Sequence, residues 1–188
     1  MSKHINWTVC FSQTGSEIAQ VAERLGKWPD RIVTNRKPED IDTLHPALAT
    51  REITYLKGTP TAEDYLLAFG EEPTLITLHG WLRIIPAEVI RKYPNVFNGH
   101  PGALSIQEGI LKGKDPQEKA YRMGLSVSGC VIHKVTEGVD EGPVLKERLV
   151  EIMNLPLDKV YETLHETSVE MWVDFLTDPI ITHLSDNE

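Results

Sequence analysis

Short apolar segments alternate with helix-like segments over the first hundred residues, and this alternation restricts the chain to few folds. Segments with the length and apolar content of strands lie at residues 5–11, 30–35, 51–57, 73–80 and 95–100. A βαβ series of this kind implies a mainly parallel sheet with right-handed crossovers. We therefore predict an α/β, Rossmann-like fold with helices on both faces of the sheet.

The pattern changes after residue 101. Residues 125–135 and 142–152 alternate as strands do, and they predict a C-terminal, hairpin-like extension of the sheet. A terminal helix is predicted from Leu157 to Leu176, and we interpret its apolar stripe as packing: Leu157, Val160, Tyr161, Leu164, Met171, Trp172 and Phe175. No repeat or linker-like composition divides the chain, so we predict a single domain over residues 1–188.

Capping signals predict where two of the helices begin and end. The first helix begins at Ser16, and Gly26 is predicted to end it. Thr59, followed by Pro60, predicts the N-cap of the next helix, which ends at Gly70.

Charge and composition argue against several classes of function. A formal net charge of −9 makes nucleic acid or an anionic membrane an unfavourable partner. No apolar run approaches the ~20 residues of a membrane span, and the first residues lack the apolar core of a signal peptide, so we expect a cytoplasmic protein. Cys10 and Cys130 lie in apolar, strand-like segments, where buried thiols are expected and neither a disulfide nor a metal site is indicated.

Basic residues gather after the fifth predicted strand, although the chain as a whole is acidic. They are Lys112, Lys114, Lys119, Arg122 and Lys134. Such a cluster fits either a solvated basic face or the mouth of a site for an anionic substrate.

An amide and an imidazole lie at the end of the fifth predicted strand, where α/β proteins bind their ligands. Asn98 and His100 are two residues apart, so their side chains share one face of an extended strand. Pro101 and Gly102 then end the strand. His79, at the end of the preceding strand, is compatible with either a core or a functional role.

A carboxylate on a tight turn adds the third group. Asp140 lies between Gly138 and Gly142, where the two C-terminal strands are joined. An amide can donate to a developing oxyanion, an imidazole can transfer a proton, and a carboxylate can orient the imidazole or a water molecule. No serine or cysteine nucleophile is paired with His100, which favours direct attack by a bound substrate over a covalent enzyme intermediate.

The first predicted βα turn is a candidate anion site. Gly15 permits the turn before the helix, so backbone N–H groups and the hydroxyls of Thr14 and Ser16 face the same space. The turn has neither a Walker A sequence nor the glycine pattern of dinucleotide-binding proteins.

Taken in order, these motifs resemble those of the folate-dependent formyltransferases over nearly the whole chain. TGSEI at residues 14–18 stands in place of the family's first-turn phosphate loop, and LHGWLRIIP at residues 78–86 stands in place of its folate-binding strand and turn. NGHPG at residues 98–102 matches the catalytic Asn-x-His-Pro. His133, six intervening residues, Asp140 and then Gly-Pro match a further family segment. The combination is specific, whereas each motif alone is not.

The resemblance implies transfer of a formyl group from 10-formyltetrahydrofolate to an amine, with no metal. Asn98 and protonated His100 would stabilise the tetrahedral oxyanion. Asp140 would keep His100 charged, and His133 would support the site. The implied folate contacts are Trp81, Leu82, Arg83, Ile84, Ile85, Val135, Thr136, Glu137, Gly138 and Val139, and the implied acceptor contacts are Thr14, Gly15, Ser16, Glu17 and Glu166.

The expected acceptor is a small phosphorylated amine, because the resemblance is strongest to enzymes that formylate glycinamide ribonucleotide in purine synthesis. The chain departs from those enzymes at Thr163, where they carry a phosphate-binding lysine, in the loop at residues 111–121, and at Gly99 and Gly102, where bulkier residues are usual. An amino-sugar nucleotide or a modified nucleotide amine, with phosphates bound by Lys112 and Lys114, is therefore an alternative. A folate- or nucleotide-binding protein without catalytic activity is another.

Two further acceptors are disfavoured. Enzymes that formylate methionyl-tRNA carry an additional C-terminal RNA-binding domain, which we do not expect in this chain. Deformylases, which use water as the acceptor, carry an additional N-terminal domain, for which we expect no room. The sequence leaves the oligomeric state open, as well as the order of residues 105–119.

Overall fold

The computed structural model describes residues 5–71, 73, 75–137 and 140–182. One seven-stranded sheet has the order β3-β2-β1-β4-β5-β6-β7. Its strands are β1 (Trp7–Phe11), β2 (Arg31–Thr34), β3 (Ile53–Tyr55), β4 (Leu75–His79), β5 (Val96–His100), β6 (Val127–Lys134) and β7 (Val144–Glu151). The first five strands pair in parallel, whereas β6 and β7 pair antiparallel. The predicted α/β sheet with a C-terminal hairpin is confirmed.

Helices cover both faces of this sheet. They are α1 (Ser16–Leu25), α2 (Ala62–Phe69), α3 (Ala87–Lys92), α4 (Pro116–Arg122), α5 (Leu157–Leu176) and α6 (Pro179–Thr182). Short 3-10 helices span Pro38–Thr43, Pro46–Leu48 and Ile106–Gly109. One apolar core lies between the sheet and the helices α1 and α5, and a second lies between the sheet and the helices α2 and α3. The central strands are buried throughout because both of their faces are covered.

Helix α2 begins two residues later than the capping signal predicts. Its N-cap is Thr61, whose hydroxyl accepts from the Asp64 backbone N–H at 3.4 Å, while the Asp64 carboxylate accepts from the Thr61 N–H at 2.6 Å. This reciprocal capping box satisfies two backbone N–H groups at once, so Thr59 with Pro60 at the first helical position was the wrong start. The predicted end at Gly70 is correct.

Helix α5 has the predicted bounds, and most of its apolar stripe is buried. Leu157 is only half-buried, and Tyr161 is 40% exposed and does not belong to the packed stripe. It follows the buried Val160, and one residue step turns a helix by about 100°, which carries the Tyr161 ring away from the core.

The strand order reverses between β1 and β4, which are neighbours in the sheet although β2 and β3 separate them in the chain. Open α/β sheets bind ligands beyond the carboxyl ends of the strands at such a point. The loops after β1 and β4 meet here, since the Ser12 N–H donates to the Gly80 carbonyl at 3.3 Å and the Leu82 N–H donates to Ser12 Oγ at 2.9 Å. Strand β5 lies next to β4, so its carboxyl end opens onto the same edge.

Cys10 and Cys130 are buried free thiols, as predicted. Burial raises the pKa of both thiols, which keeps them protonated and unreactive at neutral pH. Within the described ranges, none of the helices combines the length and the apolar character needed to cross a bilayer.

Candidate active site

The carboxyl end of β5 places Asn98 and His100 on one face of the sheet, as their spacing predicts. Asn98 is half-buried and His100 is only 5% exposed. Gly99, between them, faces the opposite side, where the indole of Trp172 occupies the space that a side chain would need: a Cβ on Gly99 would lie 2.6 Å from Trp172 Nε1. The glycine at this position is therefore explained by the close approach of α5.

His133 connects the two strands of the site. It lies directly opposite Asn98 in the β5–β6 register, and its Nε2 is 3.1 Å from Asn98 Nδ2. The same Nε2 is 3.2 Å from Asp140 Oδ1, while Nδ1 donates to the Lys134 carbonyl at 3.1 Å. The imidazole is 3% exposed, so His133 is well placed to hold the amide and the carboxylate in position and poorly placed to reach a substrate.

Asp140 lies in the turn between β6 and β7, with a left-handed φ of 51° that aspartate tolerates better than most residues. Its Oδ2 accepts from the Gly113 N–H at 3.0 Å and lies 3.5 Å from His100 Nδ1. The turn thus brings the carboxylate to the imidazole that the sequence pairs it with. Asn98, His100, His133 and Asp140 form one contiguous cluster.

The ring of His100 is held between two acceptors. Its Nε2–H donates to the Leu111 carbonyl at 2.7 Å, and its Nδ1 faces Asp140. The side chain is only 6% exposed, because the segment at residues 101–115 folds over it. In this arrangement an N–H of His100 can contact a substrate only after the Leu111 carbonyl moves away from the ring.

The pKa values of His100 and Asp140 are both lower than the ordinary values of these groups. Burial lowers the pKa of His100, and the opposing effects of the Asp140 carboxylate and the Leu111 carbonyl do not restore it to its ordinary value. Burial raises the pKa of Asp140, but hydrogen bonds from His133 and Gly113 and the charge of His100 outweigh it, so the net shift is downward. Asp140 is therefore ionised at neutral pH, and the cationic His100 that the resemblance implies needs a further negative charge beside the ring.

The turn after β4 presents two exposed apolar side chains at the same edge of the sheet as this cluster. Leu82 is 54% exposed and Ile84 is 71% exposed, whereas the side chains of Trp81 and Ile85 are buried in the core. Trp81 Nε1 donates to the Tyr65 hydroxyl at 3.1 Å, so its indole is held inside. The turn therefore offers Leu82, Ile84 and its backbone to a ligand.

A second segment begins at the end of β6, where Val135 packs against the core cluster that includes Trp81 and Ile85. The Val135 N–H donates to the Val96 carbonyl at 2.9 Å, which fixes the start of this segment on β5. Thr136 and Glu137 are exposed, and Glu137 Oε1 lies 3.5 Å from a guanidinium nitrogen of Arg91. Gly138 and Val139, also predicted to contact folate, lie outside the described residues.

A small open cavity lies next to the β4 turn. Arg83 contributes to it and is exposed, with its guanidinium donating to the carbonyls of Gly58 and Leu82. The residues that line the cavity are Ser12, Asn35, Arg36, Lys37, Asp40, Leu82 and Arg83. Three cationic side chains and one carboxylate, Asp40, line the cavity, so it is electropositive.

The predicted acceptor loop adopts the expected strand–turn–helix geometry. Gly15 is the N-cap of α1 with a left-handed φ of 71°, and this residue has no side chain with which to cap the helix. Thr14 is exposed and its hydroxyl accepts weakly from the Ser16 N–H at 3.4 Å. Glu17, in contrast, turns towards β4, where its carboxylate lies 2.8 Å from His79 Nδ1.

Glu166 is not brought to this loop. Its carboxylate pairs with Arg24 at 2.7 Å, in the last turn of α1, whereas the loop precedes the first turn. Arg24 lies eight positions after Ser16 in the helix, which corresponds to about 12 Å along its axis. The basic cluster after β5 is mostly solvated: Arg122 pairs with Glu118, and Lys112, Lys114 and Lys119 are exposed.

Two contributions to the site escaped the sequence analysis. The carbonyl of Leu111 and the N–H of Gly113 are backbone groups, and a backbone contact leaves no trace in residue type.

The sequence leaves His79 open between a core and a functional role, and the structure buries it with both ring nitrogens in polar contacts. Within the described part of the chain, no group of three or more His, Cys, Asp and Glu side chains is arranged to hold a metal ion.

Comparisons with known proteins show the family and the fold of this chain. A family model described as formyl transferase matches residues 58–176. A phosphoribosylglycinamide formyltransferase of Mycobacterium tuberculosis (strain ATCC 25618 / H37Rv) is 33% identical over 168 residues, which cover 84% of this chain and 75% of that protein. A second, from Bacillus subtilis (strain 168), is 35% identical over 82 residues, and this match covers 43% of this chain but only 40% of that protein. Glycinamide ribonucleotide transformylase 1 of Symbiobacterium toebii shares the fold, with a TM-score of 0.75 and 20% identity over 93% of this chain and 86% of that one.

Proposed function

Because this chain belongs to the formyl transferase family, we propose that it transfers the formyl group of 10-formyltetrahydrofolate to the amine of a small phosphorylated acceptor. Glycinamide ribonucleotide is the first candidate. The observation that carries the proposal is the cluster of Asn98, His100 and Asp140 at the carboxyl end of β5, beside an apolar turn and an uncapped helix start.

The reaction needs a proton to move while one carbon–nitrogen bond replaces another. The neutral amine of the acceptor attacks the formyl carbon, which places negative charge on the formyl oxygen and positive charge on the amine nitrogen. The amine then loses a proton, the folate N10 gains one, and the bond from carbon to N10 breaks. The products are the formylated amine and tetrahydrofolate.

The side chains of the cluster suit these steps. The Asn98 amide donates to the developing oxyanion, which typically contributes about two to three powers of ten in rate. That oxyanion is the negative charge that raises the pKa of His100, so the ring takes up the proton that the attacking amine loses and passes it to the folate N10 as the bond from carbon to N10 breaks. Asp140 stabilises the resulting imidazolium and orients it through Nδ1. His133 lies between the other two groups, with its Nε2 3.1 Å from the Asn98 amide nitrogen and 3.2 Å from the Asp140 carboxylate.

The residues around the β4 turn fit a flat, largely apolar heterocycle with polar edges. Leu82 and Ile84 expose apolar surface, and the turn offers backbone groups for the polar edge. Residues 135–137 would close the opposite side of the pocket. Arg83 and its electropositive surroundings suit the carboxylates of a folate.

The loop at residues 14–16 suits the phosphate of the acceptor, because the N-cap Gly15 has no side chain to occupy the first N–H groups of α1 and Thr14 engages only the Ser16 N–H, weakly, at 3.4 Å. Glu166 would have to exchange Arg24 for a substrate hydroxyl to take the ribose role that the resemblance implies. The exposure of Lys112 and Lys114 supports the second candidate, an amino-sugar nucleotide or modified nucleotide amine whose phosphates they would bind.

Steady-state release of the deformylated folate from a 10-formylfolate analogue tests the proposal. We expect turnover to depend on glycinamide ribonucleotide and to saturate with it. Turnover only with an amino-sugar nucleotide would select the second candidate, and turnover without any amine would identify water as the acceptor. Folate binding without turnover on any of these would contradict formyl transfer altogether.

A further inference from the structure

A chain of buried polar contacts runs from the first turn of α1 to the core beneath β4, on the face of the sheet opposite to the catalytic side chains. His79 Nδ1 is 2.8 Å from Glu17 Oε1, and His79 Nε2 is 2.8 Å from Thr77 Oγ1. Thr77 Oγ1 also accepts from Trp7 Nε1 at 2.9 Å. The side chain of His79 is 0% exposed and that of Glu17 is 20% exposed. The proposed reaction uses none of these groups directly.

The same imidazole packs against the catalytic strand through α5. The rings of His79 and Trp172 have centroids 4.4 Å apart, and the Trp172 indole fills the space beside Gly99. Gly99 in turn lies opposite His79 in the β4–β5 register. His79 therefore contacts α1, the helix that would bind the acceptor, directly through Glu17. It is connected to β5, the strand that carries the catalytic groups, through Trp172.

Glu17 is an unusual neighbour for an anion site. Burial raises the pKa of Glu17, but the hydrogen bond and charge of His79, a hydrogen bond with Ser168 and the charge of His165 outweigh it, so the carboxylate is ionised at neutral pH. Glu17 is the second residue of α1, next to the N–H groups that begin the helix. A carboxylate free to turn back would be attracted to these N–H groups and would repel a phosphate there.

We propose that His79 is a positioning residue that determines acceptor binding. Its Nδ1–H holds the Glu17 carboxylate towards β4, which leaves the N–H groups at the start of α1 to a phosphate monoester on the acceptor. The inference rests on the proposed function, because it takes the acceptor to be phosphorylated. It adds a residue outside the reacting centre that sets which substrates the loop admits.

Three variants test this role by steady-state kinetics. His79→Leu removes the donor at similar volume, and we expect the KM for glycinamide ribonucleotide to rise by about tenfold or more, with the KM for folate changed less than about twofold. His79→Asn keeps an N–H near the position of Nδ1 and should recover most of the affinity. Glu17→Gln in the His79→Leu background removes the unpaired charge and should recover it as well. An unchanged acceptor KM in His79→Leu, or no recovery in the double variant, would overturn the proposal.

Thr77→Val is the control for a purely structural effect. It removes the hydroxyl between Trp7 and His79 but leaves the contact from Nδ1 to Glu17. The melting temperature should fall, as it should in His79→Leu, while the acceptor KM stays within about twofold of the wild-type value. A rise in KM equal to that of His79→Leu would mean that general loosening, and not the direction of the carboxylate, limits acceptor binding.

Calorimetric titration with inorganic phosphate separates this inference from the proposed function. If the wild-type protein fails to turn over any phosphorylated amine, the proposed function is wrong, and phosphate binding still decides the role of His79. We expect phosphate to bind the wild-type protein, about tenfold more weakly in His79→Leu, and again normally after Glu17→Gln is added. Equal affinity in wild type and His79→Leu, or no phosphate binding by the wild type, would overturn it.

Discussion

At the scale of single residues, Gly102 leaves room for the imidazole of His100. A Cβ at this position would lie 2.8 Å from His100 Nε2, 2.8 Å from Pro116 Cβ and 2.9 Å from the Leu111 carbonyl oxygen. Two of these three neighbours are rigid, so a side chain here moves either the catalytic ring or the segment that covers it. The glycine that sets this chain apart from the family pattern thus has a local reason.

Replacing Gly102 with alanine should therefore impair the site and the fold together. We expect a loss of about 1–3 kcal/mol in the free energy of unfolding from overpacking, and a fall in kcat of about 100-fold because the ring is displaced. Urea denaturation and steady-state kinetics measure the two effects. Gly58→Ala is the matched control, since a Cβ on Gly58 meets nothing within 4 Å. Wild-type kcat in Gly102→Ala would show that the ring tolerates the displacement.

At the scale of elements, the sequence predicts the parts of the site that side chains determine. The spacing of Asn98 and His100 predicts their shared face, and the Asp140 turn follows from the alternation of β6 and β7 on either side of it. The close contact of α5 with β5 was not predictable, because it depends on where Trp172 lies in three dimensions.

The path of residues 101–115 was not predictable either. Four backbone conformations with positive φ shape it, at Gln107, Gly109, Gly113 and Asp115, and Gln107 gives no signal of such a turn in the sequence. Its contacts with the catalytic pair are made by the Leu111 carbonyl and the Gly113 N–H, which every residue possesses. The start of α2 was misplaced for a different reason, since the prediction rested on Thr59 and Pro60 and missed the Thr61–Asp64 capping box two residues later.

At the scale of the whole molecule, three buried groups link stability to pH in the same direction. The pKa values of His100, Glu17 and Asp140 are all lower in the folded protein than their ordinary values of 6.5, 4.5 and 3.8. A group with a lowered pKa contributes stability that is fully present above its unfolded pKa and is lost as the pH falls through its folded pKa. Acidification should therefore destabilise the fold in two stages.

We expect the free energy of unfolding to fall first as the pH drops below about 6.5, where the unfolded state protonates His100 before the folded state does. A second fall in the free energy of unfolding should begin below about pH 4.5, where the unfolded state protonates Glu17 and Asp140 before the folded state does. Urea denaturation at a series of pH values measures both stages. His100→Asn should remove the first stage and keep the second. A wild-type stability that rises between pH 7 and pH 5 would contradict the sign of the His100 shift.

The most direct test of the central claim is the turnover of His100→Asn with 10-formylfolate and the acceptor that the wild-type protein uses, measured beside folate binding by tryptophan fluorescence. If Asn98, His100 and Asp140 carry out formyl transfer, kcat should fall by about two to four powers of ten while the folate dissociation constant stays within about twofold. Turnover within about tenfold of the wild-type rate would mean that the proton moves by another route, and the proposed assignment of the site would be wrong.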